Sequence, residues 1–119
     1  MEIHSYKELI VWQKGIEGVI ELYALAEQFP KSELYGLASQ MKRAIVSIPS
    51  NIAEGRRRGG KKEFCQFLLI AYGSGAELET QLEIVRRLPW GRDLDFRKID
   101  SLLLEVMRML NKMISSLKS

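Results

Sequence analysis

Apolar residues recur along this chain at alternating steps of three and four. Leu9, Trp12, Ile16, Val19, Tyr23 and Ala26 make the first run, and Leu34, Ala38, Met41, Ile45, Ile48 and Ile52 the second. Phe64, Leu68, Ala71, Gly75, Leu78, Leu82 and Val85 make the third, and Ile99, Leu103, Val106, Leu110, Met113 and Leu117 the fourth. Such steps put each run on one stripe of a helix, because side chains three and four apart share a helical face. Sustained period-2 alternation and hairpin dipeptides such as Asn-Gly are absent, so strands are not expected.

The spacing predicts an all-α fold: an antiparallel, up-down-up-down four-helix bundle in a single domain spanning 1–119. A mean step of about 3.5 on helices whose natural period is about 3.6 favours long helices packed at about 20°. The linkers, near Phe29–Ser32, Gly55–Gly60 and Leu88–Asp95, are short enough to join only antiparallel neighbours. The first helix is expected to open at a capping box, Ser5-x-x-Glu8, and to stop at Phe29-Pro30. Pro49 falls within the second run. It removes the hydrogen bond to the carbonyl of Ile45, so a kink is expected, in preference to a break, because the stripe passes from Ile48 to Ile52 in register.

Not every apolar residue fits a stripe. Ile10, Val11, Ile20, Leu25, Val46, Leu69, Ile70, Ile84 and Leu102 lie off them. Either they broaden the core, or some remain outside and favour a homo-oligomer. No apolar run reaches the eighteen or so residues needed to cross a bilayer. Glu2 stands where a secretory signal carries positive charge, and the single cysteine, Cys65, forms no internal disulfide, so a cytoplasmic location is expected.

The net charge of +3 is unevenly placed. Residues 1–54 carry 5 Lys/Arg against 7 Asp/Glu, a net of −2, whereas residues 55–119 carry 13 against 8, a net of +5. The sharpest concentration is Arg56, Arg57, Arg58, Lys61 and Lys62 around Gly59-Gly60, at a turn between helices. In an up-down-up-down bundle this turn shares an end with both termini, so Lys7 and Lys118 join it. Clustered cations bind RNA or DNA phosphates by counterion release. They serve equally to solvate a turn, to complement the helix dipole or to dock an acidic protein. Arg86 and Arg87 are weaker candidates, explained by the dipole of the third helix. No aromatic residue alternates with the five cations, which argues for contact with the backbone of a nucleic acid and against base stacking.

Ser47, Ser50, Asn51 and Glu54 place polar atoms beside Pro49, and Gly73, Ser74, Gly75 and Ala76 form a small-residue stretch on the third helix. Facing each other, the two stretches make either a polar pocket or subunit contact or, as we favour, a structural contact that satisfies the carbonyl freed by Pro49. No enzyme signature emerges. A carboxylate-bridged metal site needs Glu-x-x-His pairs, and the one histidine, His4, reads as a solvated terminal residue. Cys65 reads as a small buried hydrophobe, without a histidine to activate it. Phosphate-loop and dinucleotide-binding glycine patterns are missing, and no cofactor is expected. Trp12 reads as core. Trp90, between Pro89 and Gly91, either caps the bundle end or projects as a contact anchor.

The stretch from Phe29 to Arg58, FPKSELYGLASQMKRAIVSIPSNIAEGRRR, resembles the signature of the 23S rRNA intervening-sequence protein family. KKEFCQFLLIAYGSGAELETQL, from Lys61 to Leu82, is similar to the family's third helix, and LIVWQK, from Leu9 to Lys14, to its first. The RRRGGKK junction is more basic than is usual there. The resemblance implies an antiparallel four-helix bundle assembled as a homopentamer. It also implies kinship with the accessory variability proteins of diversity-generating retroelements, which bind nucleic acid and partner a reverse transcriptase.

Overall fold

The computed structural model describes residues 5–119, and the readings that fell on Glu2 and His4 lie outside them. Four α-helices account for most of the chain: α1 (Ile10–Ala26), α2 (Leu37–Arg58), α3 (Lys61–Arg87) and α4 (Arg97–Lys118). Short 3-10 turns precede α1 (Tyr6–Glu8) and α2 (Lys31–Glu33), and no strand occurs among the described residues. Each helix packs on two others, α1 on α2 and α4, and α3 on α2 and α4. The result is a rod of 52 × 21 × 20 Å with one core along its axis.

The core of α3 is the predicted one. Phe64, Leu68, Ala71, Gly75, Leu78, Leu82 and Val85 are all buried. In α2, Ala38, Met41, Ile45, Ile48 and Ile52 are buried as expected, but Leu34 lies exposed ahead of the helix. In α4 the stripe holds through Leu110 and then passes to Ile114, with Met113 and Leu117 only half-buried. A straight helix drifts about 20° per heptad from a 3.5-residue repeat, which carries the inward face one position on.

Helix α1 departs from its predicted stripe. The buried positions are Val11, Gly15, Gly18, Leu22, Leu25 and Ala26, while Ile16 and Tyr23 are exposed. The inward face is therefore rotated by about one residue. Its two glycines are the reason. A methyl group on Gly15 would stand 3.4 Å from Pro49 Cβ, and one on Gly18 3.3 Å from Ile45 Cδ1. The backbone of α1 thus lies directly on α2, and the larger side chains of Ile16 and Tyr23 turn outward.

The N-terminal capping box forms only in part. Ser5 Oγ accepts from the amide of Lys7 at 3.2 Å, whereas the amide of Glu8 donates to the Ser5 carbonyl. This closes the 3-10 turn, and α1 begins afterwards at Ile10, with Leu9 as its N-cap.

Helix α2 runs unbroken through Pro49 to Arg58, so the linker expected over Gly55–Gly60 shrinks to Gly59 and Gly60. Gly55 is buried within the helix, where an added Cβ would meet Phe67 Cβ at 2.6 Å. Gly59 ends the helix at φ 82°, a left-handed conformation that a residue without Cβ adopts at little cost.

At the other end of the rod Trp90 packs on Phe29, ring centroids 4.9 Å apart, and is half-buried against the core. It caps the bundle end. Trp12 is likewise half-buried against the core, edge-on to Tyr6 at 5.4 Å. Of the off-stripe apolar residues, Val11, Leu25 and Leu102 are buried, whereas Ile10, Ile20, Val46, Leu69, Ile70 and Ile84 remain exposed. Among the described residues no helix is long and apolar enough to cross a membrane.

Candidate nucleic-acid interface

Because α2 continues to Arg58, the three arginines occupy its last helical turn and point around the helix in different directions. Each guanidinium lies on an aromatic ring from another part of the chain. Arg56 sits 5.9 Å from the Phe64 ring centroid, Arg57 5.5 Å from that of Tyr6, and Arg58 5.1 Å from that of Phe67. Such cation–π contacts contribute about 0.5–1 kcal/mol at exposed sites and hold the charge in a fixed place. The linear sequence concealed them, because Tyr6 belongs to the N-terminal turn and the two phenylalanines to α3.

The five cations are not equivalent. Arg56 is half-buried, and its Nε is buried without a hydrogen-bond partner. Arg58 Nη2 donates to Glu54 Oε2 at 2.9 Å, an exposed ion pair one helical turn apart. Arg57, Lys61 and Lys62 are exposed, and no ion pair joins them to a carboxylate among the described residues. The Tyr6–Arg57 contact brings the N-terminal turn, and so Lys7, to this end. By contrast, Arg86 is bonded to Asp100 and Arg87 Nε donates to Glu83 Oε2 at 2.9 Å. Both are committed to neighbouring carboxylates, which leaves them poor anion ligands.

The polar residues around Pro49 divide. Ser47 Oγ meets Ser74 Oγ of α3 at 2.9 Å, and Asn51 Nδ2 donates to both the Ser47 carbonyl, at 2.8 Å, and Ser47 Oγ, at 2.9 Å. The amide therefore serves the Ser47 carbonyl and not that of Ile45, as the sequence suggested. Ser50 is exposed, and Glu54 belongs with Arg58 and not with this cluster. The small-residue stretch of α3 also divides, since Ser74 faces α2 while Gly75 packs against Met107 of α4.

A second concave surface was not singled out by the sequence. An open groove of about 800 Å³ lies between α1, α2 and the segment ahead of α2, and Tyr23, Tyr35, Lys42 and Arg43 contribute to its walls. The spacing places Tyr23 in the core, yet it is exposed, and its companions share no regular spacing with it.

The sequence profile of the 23S rRNA-intervening sequence protein family matches residues 7–112, which covers all of α1, α2 and α3 and most of α4. No curated protein matches the chain.

Proposed function

Since this chain belongs to the 23S rRNA-intervening sequence protein family, we propose that it is a non-enzymatic, self-assembling cytoplasmic bundle whose basic end contacts nucleic-acid phosphates. The reading rests on one observation. Arg57, Lys61 and Lys62 crowd the α2–α3 turn as exposed cations that no ion pair joins to a carboxylate among the described residues. Unpaired surface cations at a fixed spacing are what backbone contact requires, because each phosphate neutralised releases counterions.

The path of the helices in this reading is antiparallel, up-down-up-down, within one domain. Cross-helix pairs support it. Along α2 and α3, Gly55 meets Phe67 and Ser47 meets Ser74. Along α3 and α4, Gly75 meets Met107 and Arg86 meets Asp100. Lys14 and Glu105, then Glu21 and Lys98, do the same for α1 and α4. In each case numbers rise on one helix as they fall on the other. The α2–α3 turn then shares its end with both termini.

Self-assembly, with a homopentamer as the family resemblance implies, is supported by apolar residues left outside the core. Ile10, Ile20 and Ile70 are all more than half exposed. The same residues favour a second reading, a scaffold that recognises another protein and never touches nucleic acid. The experiment that separates them replaces Arg57, Lys61 and Lys62 with Gln. Loss of low-salt RNA and DNA binding by a variant of unchanged helicity supports the first reading. Retained binding refutes it, and a clean preparation with one specific protein companion supports the scaffold.

A further inference from the structure

The open groove beside α2 combines two features that the basic end lacks. It carries an aromatic ring free to stack, and it contains no carboxylate. Tyr35, just ahead of α2, is 92% exposed, and no hydrogen bond or ring contact engages it among the described residues. Across the groove Lys42 Nζ lies 4.8 Å from the Tyr23 ring centroid, and Arg43 Nη1 donates to Ser39 Oγ at 3.0 Å. Leu34 and Val46 supply apolar wall. Two cations, two tyrosine rings and two serine hydroxyls without an acidic residue favour an anionic, flat-faced ligand.

We infer that this groove binds unpaired nucleotides of single-stranded RNA or DNA, with a base stacked on Tyr35 and the adjoining phosphates held by Lys42 and Arg43. Stacking on an exposed ring is tolerant of sequence because every base has a π face. The groove ends at Ser47, but the outer face of α2 that carries Arg43 runs on to the basic end. Arg43, Ser50 and Arg57 are exposed and seven residues apart, so they share one line on the outer face of α2. From Arg43 to Arg57 is about 21 Å along the helix, within reach of one short strand. Glu54 stands beside this line, but Arg58 compensates its charge. The inference extends the proposed contact with phosphates by naming the single-stranded form and a second contact point.

The test measures the binding of labelled twelve-residue oligo-U, oligo-dT and a twelve-pair duplex to the full chain by fluorescence anisotropy. Tyr35→Ala is expected to weaken both single strands about tenfold, the lower part of the range for losing one stacked base, and to leave the duplex unchanged. Tyr35→Trp restores the wild-type affinity. Because Tyr35 is almost wholly exposed, its loss does not threaten folding. Unchanged single-strand affinity in Tyr35→Ala overturns the proposal. So does an equal loss of duplex affinity, or a change in sedimented mass with strand affinity intact, which would give the groove to a second copy. Lys61→Gln/Lys62→Gln reports separately on the basic end. If it binds like wild type while Tyr35→Ala does not, the end-contact reading fails and the groove stands.

Discussion

Ser47 on α2 and Ser74 on α3 join their hydroxyls at 2.9 Å across a partly buried interface, and Asn51 adds its amide to the same serine. Removing the Ser47 hydroxyl strands that of Ser74, whereas Ser47 keeps the Asn51 amide when Ser74 is cut back, and an unmet buried group costs about 1–3 kcal/mol. Ser47→Ala is expected to lower stability by about 1 kcal/mol and Ser74→Ala by less, with the double variant below their sum. Urea unfolding of the four proteins of the cycle checks this, and strict additivity would contradict it.

Two glycines should respond to alanine with opposite signs. At Gly55 the new methyl meets Phe67 Cβ at 2.6 Å, so a close helix contact must open, at a cost of about 1–3 kcal/mol. Gly73 lies in the same helical pair, yet nothing stands within 4 Å of its would-be Cβ. There Ala raises helix propensity by about 1 kcal/mol. Thermal unfolding should show a lower midpoint for Gly55→Ala and a higher one for Gly73→Ala.

Cations near helix ends should differ in their effect on binding according to whether they are already paired. Lys61→Gln/Lys62→Gln should reduce the slope of log affinity against log salt by about 1.4–1.8, from roughly 0.7–0.9 per phosphate contact. Arg86→Gln/Arg87→Gln should leave it unchanged, because Asp100 and Glu83 already hold those guanidiniums. Salt titrations of both variants decide the point.

Asp95 gives the start of α4 a dependence on acid. Its carboxylate accepts from the Arg97 amide and is chelated by the Arg97 side chain, whose hydrogen bonds hold its pKa at about 2, below the ordinary 3.8. A depressed value in the folded state means that the unfolded chain binds the proton more readily. The contribution is therefore complete above about pH 4 and lost as pH falls towards 2. Carboxyl carbon shifts should place the Asp95 titration near pH 2. In Asp95→Asn, the part of the acid destabilisation between pH 4 and 2 that this group supplies should vanish.

Much of the helical layout was legible in the residues. The stripe of α3 is uninterrupted by any competing pattern, so its buried face followed directly from spacing. The α1 stripe did not, because counting apolar side chains gives glycine no weight, and Gly15 and Gly18 are where the backbone comes closest to α2. The basic cluster was visible as composition, while its division into paired, half-buried and free cations was not. Glu54 reaches Arg58 within one helix, but Phe64, Phe67 and Tyr6 arrive beneath the arginines from elsewhere.

The order of apolar residues by itself determined that this chain forms four amphipathic helices, because a periodicity near 3.5 leaves one face of each to be buried. Only the tertiary structure decided which way α1 turns, that the arginines belong to α2 and not to a loop, and that Tyr35 and Arg43 share a groove. Those outcomes depend on how closely two backbones approach and on which distant side chains then meet, and neither is a property of local spacing.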